Sequence, residues 1–132
     1  MTPRIEKDFL GTLEIPKDVY YGVQTMRAKE NFPITGLVVD PELIRAFAIV
    51  KKSTTQAHLV TGQLDETIAN AIIQAADEII AGKLHDQFIV DPIQGGAGTS
   101  LNMNTNEVIA NRALEILGHE KGSYSIISPN SH

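Results

Sequence analysis

Apolar positions recur at intervals of three and four through three stretches of the chain, each bracketed by helix start and stop signals. The first stretch opens at Asp40-Pro41-Glu42, which combines a side-chain acceptor, a proline with no N–H to lose, and an acid at the positive helix end. It is predicted to run to about Thr61, with Gly62 as a left-handed stop. Within it the spacing of Leu43, Phe47, Val50, Thr54 and Ala57 predicts one buried stripe and leaves Lys51, Lys52 and Gln56 in solvent. Asp65 is the cap of a second helix, whose Ile68, Ile72, Ala75 and Ile79 mark a single face before Gly82. The short link between the two predicts an antiparallel hairpin. A third helix starts near Ser100 or Asn102 and runs to Leu117, ended by Gly118, with Ile109, Ala113 and Ile116 on one face.

Outside these stretches the pattern changes. Pro3, Gly11, Pro16, Gly22, Pro33 and Gly36 punctuate residues 1–39 too densely for long helices, so this part is expected to be irregular. Arg4-Ile5-Glu6 and Thr12-Leu13-Glu14-Ile15 alternate polar and apolar positions across a turn at Gly11, which suits a short two-stranded ribbon lying on something larger. Gln87-Phe88-Ile89-Val90 reads as a strand or simply as extended chain. The expected fold class is mainly α, with a short N-terminal β ribbon and about three main helices in one domain, residues 1–132.

Composition narrows the function classes. At 132 residues and 42% hydrophobic content, a core without disulfides or structural metal is feasible. The absence of cysteine excludes a disulfide framework, a thiolate zinc site and a cysteine nucleophile. A formal charge of -5 offers no excess positive field for phosphates, which argues against a nucleic-acid binder. No apolar run approaches the roughly 18–20 residues of a membrane span, and the N-terminus lacks the basic start and apolar core of a signal peptide.

Asn102, Asn104, Thr105 and Asn106 sit early in the third helix, where they are poor interior helix formers. Local propensity yields there, a conflict that often marks a functional site. Just before them, Gly95, Gly96 and Gly98 allow close backbone approach, and Thr99 and Ser100 add hydroxyls to the unpaired N–H groups of a helix start. Together these residues suit a carboxylate or phosphate. A glycine-rich turn and a capped helix whose asparagines bond to neighbouring loops would give the same pattern. The Gly96-Ala97-Gly98-Thr99-Ser100-Leu101 segment imitates a dinucleotide fingerprint, but Leu101 occupies the position of the last small residue, and no βαβ unit surrounds it. A Walker loop would need a Gly-Lys-Ser/Thr element that is absent here.

The run Gly95-Gly96-Ala97-Gly98-Thr99-Ser100-Leu101-Asn102-Met103-Asn104-Thr105-Asn106-Glu107-Val108-Ile109-Ala110-Asn111-Arg112-Ala113 resembles the first signature region of the aspartase/fumarase superfamily. Arg4 to Gly11, Tyr20-Tyr21-Gly22-Val23-Gln24-Thr25, Glu30-Asn31-Phe32-Pro33-Ile34 and Asp86-Gln87-Phe88 extend the resemblance to its aspartase branch. Class II fumarases usually carry Gly-Ser-Gly-Thr and a downstream His-Pro-Asn-Asp loop. Here Gly96-Ala97-Gly98-Thr99 and Ser128-Pro129-Asn130-Ser131 stand in those places, which leans towards aspartases of the Bacillus type and puts the fumarases' secondary dicarboxylate site in doubt.

The resemblance implies reversible deamination of L-aspartate to fumarate and ammonia through an aci-carboxylate dianion. Donors fixed before that charge develops cost no reorganisation. Thr99 matches the family's substrate-binding threonine, Gly98 and Ser100 would supply N–H groups or shape, and Asn102, Asn104 and Asn106 would build the wall. The family's catalytic serine and its Ser-Ser/Thr-Asn, Thr-His and Lys-x-Asn contacts lie downstream. No catalytic residue, metal ligand or cofactor is therefore assigned here, and the chain alone is expected to be inactive. The resemblance further implies a cytoplasmic homotetramer with a central helix bundle, acting on a small dicarboxylate with no nucleic-acid or membrane partner. The alternatives are a class II fumarase domain, a helical module that binds a dicarboxylate without catalysis, and a purely structural interaction domain.

The remaining candidates read as structural. His58, His85, His119 and His132 have no metal-ligand spacing and are expected at the surface or at helix ends. Ser125, Ser128 and Ser131 lack the setting of a hydrolase nucleophile, and Lys29, Lys51 and Lys52 read as solvated.

Overall fold

The computed structural model describes residues 2–92 and 98–130. Strands β1 (Arg4–Asp8) and β2 (Gly11–Ile15) pair antiparallel, from Arg4 opposite Ile15 to Asp8 opposite Gly11. Four helices follow: α1 (Val23–Asn31), α2 (Pro41–Val60), α3 (Glu66–Ile80) and α4 (Thr99–Ile116). A 3₁₀ turn at His85–Gln87 leads into extended chain at Phe88 to Val90, so the extended alternative holds there and no strand forms.

The local signals for α2, α3 and α4 act as expected. The Asp40 carboxylate accepts from the Glu42 N–H at 2.8 Å and Asp65 accepts from Ile68 N at 3.1 Å, so each first turn has a side-chain acceptor. Gly62, Gly82 and Gly118 take the left-handed conformation just past the three helices. Helices α2 and α3 pack as a hairpin and α4 lies against them. The core joins Ile44 and Ala48 of α2, Ile72, Ala75, Ala76 and Ile79 of α3, and Val108, Ala113 and Leu114 of α4, closed by Phe88, Val90 and Ile127.

Three expectations fail. Residues 1–39 are not wholly irregular, because Val23–Asn31 is a helix. Gly22 offers α1 no side-chain cap and its first turn has no acid; the cap comes from elsewhere in the fold. The buried stripe of α2 is also displaced. Ile44, Ala48 and Thr55 face inward, whereas Leu43, Val50, Thr54 and Ala57 are exposed and Phe47 is half-buried. Helix α2 is apolar on two sides, and spacing alone cannot say which side meets α3 and α4.

Nor do the lysines stay in solvent. Lys52 Nζ pairs with Asp77 of α3 at 2.7 Å, and half-buried Lys51 reaches Asn102 of α4 at 2.6 Å. Both sit beside the Ile44, Ala48 and Thr55 side of the helix, so their stems cross the interfaces that this side makes.

Candidate functional site at the start of helix α4

Helix α4 begins directly after Gly98, whose φ of 85° suits a residue without Cβ. Gly98 has no side chain with which to cap this helix, and the first turn carries no acid. The positive end of the helix dipole favours an anion here. Thr99 is exposed and Gly98 and Ser100 are half-buried, so the structure brings these three together at the helix start. Gly95 and Gly96 lie outside the described residues, as does His132.

Three sets of contacts fix the chain on either side of the glycine run. Asn104 is fully buried; its Oδ1 accepts from Ile89 N at 3.1 Å and its Nδ2 donates to Gln87 O at 3.0 Å. Both ends of the amide are thus committed to the extended chain before the glycine run, so this side chain ties backbone together. Asp91, at the end of that extended chain, accepts from Thr35 N at 2.7 Å, Gly36 N at 2.9 Å and the Thr35 hydroxyl at 2.9 Å. Lys51 of α2 donates to Asn102 Oδ1, placing a cation one turn into α4. Burial pushes the Lys51 ammonium below its ordinary pKa, and its partner is a neutral amide.

Asn106 lies four positions after Asn102, and its Nδ2 donates only a weak bond to Met103 Sδ at 3.7 Å. With Lys51, His58, Ser128 and Asn130 it lines a cleft of about 230 Å³. Among the described residues His58 and His119 are exposed and line grooves, while His85 Nε2 lies 2.9 Å from the Ile79 carbonyl. No group of three His, Asp or Glu side chains suited to a metal occurs among the described residues.

A buried acid pair, Glu6 and Glu107, is assigned no role from the sequence. Glu107 on α4 accepts from Gly22 N (3.1 Å), Gln24 N (3.0 Å), Thr25 N (2.8 Å) and the Thr25 hydroxyl (2.5 Å). Glu6 of β1 accepts from Val23 N at 3.0 Å and from the Tyr124 hydroxyl at 2.8 Å, while its other oxygen takes Arg4 Nε at 2.6 Å. The two carboxylates replace the missing local cap of α1 and answer its positive end. Burial pushes the Glu107 carboxyl above its ordinary value, against the hydrogen bonds from Thr25 and Gln24. Arg4 completes the joint by donating to the carbonyls of Pro16, Lys17, Val19 and Tyr21. The sequence separation from Glu107 to Thr25 removes any periodic signal; only the Tyr20-Tyr21-Gly22-Val23-Gln24-Thr25 motif flagged that segment.

A family described as lyase matches residues 11–132. The chain belongs to this lyase family. Over 98% of its length it is 69% identical to an aspartate ammonia-lyase of a Bacillus species. Among solved structures of the lyase family, a fumarate lyase:delta crystallin from Brucella melitensis superposes with a TM-score of 0.96 at 52% identity over 98% of the chain. A class II fumarase from Schistosoma mansoni superposes at 0.90 with 29% identity, also over 98% of the chain. The fold class expected from sequence, mainly helical with an N-terminal ribbon, is that of these lyases. The chain spans 28% of the Bacillus enzyme, 30% of the Brucella chain and 28% of the Schistosoma chain.

Proposed function

We propose that the chain is the N-terminal domain, residues 1–132, of a cytoplasmic, homotetrameric aspartate ammonia-lyase that converts L-aspartate to fumarate and ammonia. The observation that carries this reading is the 69% identity to an enzyme of that name across nearly the whole chain. The substrate class is a small dicarboxylate, and the domain supplies one wall of its site.

On this reading the start of α4 holds a substrate carboxylate. Removal of a proton from the adjacent carbon converts that carboxylate into a dianion, and the extra charge needs donors already in place. Thr99 offers a hydroxyl at the exposed helix start, and Gly98 and Ser100 contribute backbone N–H groups. Asn102 and Asn106 support this wall from the next turn, with Lys51 adding positive charge, and Asn104 acts from behind by fixing the chain at residues 87–89. Elimination then expels ammonia from the neighbouring carbon. The proton-abstracting base belongs to the longer protein, so the 132-residue chain alone is expected to form no fumarate.

The test is the full-length enzyme carrying Thr99→Ala. Loss of one preorganised donor should lower kcat by about 10²–10³, read as fumarate appearance together with ammonia release. Unchanged turnover would remove Thr99 from the site. Formation of malate from fumarate, with no ammonia consumed or released, would replace the lyase reading with the hydratase one.

A further inference from the structure

Helix α1 lacks the local signals that hold α2 and α3. Gly22 offers no cap, the first turn has no acid, and its buried residues are Val23 and Thr25. Nine residues are also fewer than the roughly 12–15 at which a helix begins to stand alone in water. The backbone is instead gripped at both ends of the stretch that contains α1. At its start, the N–H groups of Gly22, Gln24 and Thr25 donate to Glu107, which is 1% exposed. Past its end, the N–H groups of Thr35 and Gly36 donate to Asp91, which is 6% exposed. Phe32 N bonds to Ala28 O and Pro33 fixes the next φ, so the second grip follows closely on the helix.

The two acids stand on opposite flanks of the glycine run. Asp91 ends the extended chain before it, and Glu107 lies on α4 after it. Residues 22–36 therefore reach from one flank to the other, with α1 as a stiff middle of about 14 Å. Asn104 makes a second, shorter link between the same flanks, through Gln87 O and Ile89 N. A run rich in glycine has little conformational preference of its own, so the spacing of its flanks has to be imposed from outside.

We propose that residues 22–36 are a strut that sets the spacing of these flanks, with Asp91 and Glu107 as positioning residues that act through it on Thr99. The role rests on the reading that Thr99 donates to a substrate carboxylate. Such a donor helps only if it is in place before charge develops, and a misplacement of about 1 Å costs about 10²-fold in rate. Carboxylates suit both grips, because an N–H bond to an ionised acceptor is roughly twice as strong as one to a neutral acceptor. Backbone donors leave the strut independent of the side chains along α1, most of which are half-buried or exposed.

Glu30 gives the test, because it is exposed in the last turn of α1 and a proline there breaks the helix without altering either acid. In the full-length enzyme, hydrogen exchange at Asn102 N, which bonds to Gly98 O at 3.0 Å, reads the first turn of α4. Glu30→Pro and Asp91→Ala should each speed it about tenfold with exchange in α3 unchanged, and Glu30→Ala should leave it as it was. The same two variants should lower kcat about tenfold. In a Thr99→Ala background they should lower it no more than about twofold, because the donor they misplace is already gone. Unchanged exchange at Asn102 in Glu30→Pro overturns the strut, whatever Thr99→Ala does to turnover. So does exchange that rises equally in α3, which marks general loosening. Equal kcat losses in both backgrounds overturn the positioning role. A Thr99→Ala enzyme with unchanged turnover overturns the reading of this helix start and the positioning role with it, and the exchange result then decides the strut alone.

Discussion

Replacing Gly22 by alanine isolates packing from backbone preference. Gly22 has φ of -127°, which alanine adopts freely, so removing the unfolded-state freedom of glycine would by itself stabilise the chain by about 0.4–1 kcal/mol. Space decides otherwise. A Cβ at position 22 would lie 2.5 Å from the Tyr124 hydroxyl, 2.6 Å from Glu107 Oε2 and 2.6 Å from Glu6 Oε1, all far inside contact distance. Two of the oxygens that would have to move, Glu107 Oε2 and Glu6 Oε1, cap α1 from buried side chains, and the third, the Tyr124 hydroxyl, is bonded to Glu6. Overpacking costs about 1–3 kcal/mol and one lost bond to a charged group about 1.5–3 kcal/mol, so the net loss is about 2–5 kcal/mol after the glycine gain. At roughly 4 °C per kcal/mol for a chain of this size, the melting midpoint should fall by about 8–20 °C. Urea unfolding followed by circular dichroism measures the loss, with Gly118→Ala as the contrast. Gly118 has φ of 84° and nothing within 4 Å of its absent Cβ, so only a backbone cost of about 1–2 kcal/mol applies there. If Gly22→Ala costs no more than Gly118→Ala, the acid pair is not the rigid cap described above.

Three further outcomes follow from the same structure. Because burial raises the Glu107 pKa in the folded chain, the folded state holds that proton more tightly than the unfolded one. Stability should therefore decline as pH rises from the ordinary value of 4.5 through the raised one, and Glu107→Gln should abolish this slope in urea titrations across pH. Asn104→Ala leaves Ile89 N and Gln87 O without partners and should cost about 2–4 kcal/mol; amide exchange at Ile89 should accelerate more than at residues of α3. Asp65→Ala removes the α3 cap and should cost about 1 kcal/mol in the same unfolding assay, a loss that Asp65→Ser should largely restore.

The sequence by itself determined where three helices begin and end, because those signals act within a turn of the backbone they govern. Asp40 and Pro41, Asp65, and the glycines at 62, 82 and 118 satisfy or release neighbouring N–H and carbonyl groups wherever the helix later docks. The family was legible for a different reason: the glycine run and the asparagines after it stand where no structural economy would place them. Only the tertiary structure decided the rest, since each remaining question concerned partners distant in sequence. Helix α1 exists because carboxylates from β1 and α4 cap it. Asn104 proves to be a tie for residues 87–89, and Lys51 a cation reaching into α4, through contacts no local pattern encodes. For α2 the apolar spacing was genuine on both faces; which face became core was settled by the volume that α3 and α4 offered to Ile44, Ala48 and Thr55.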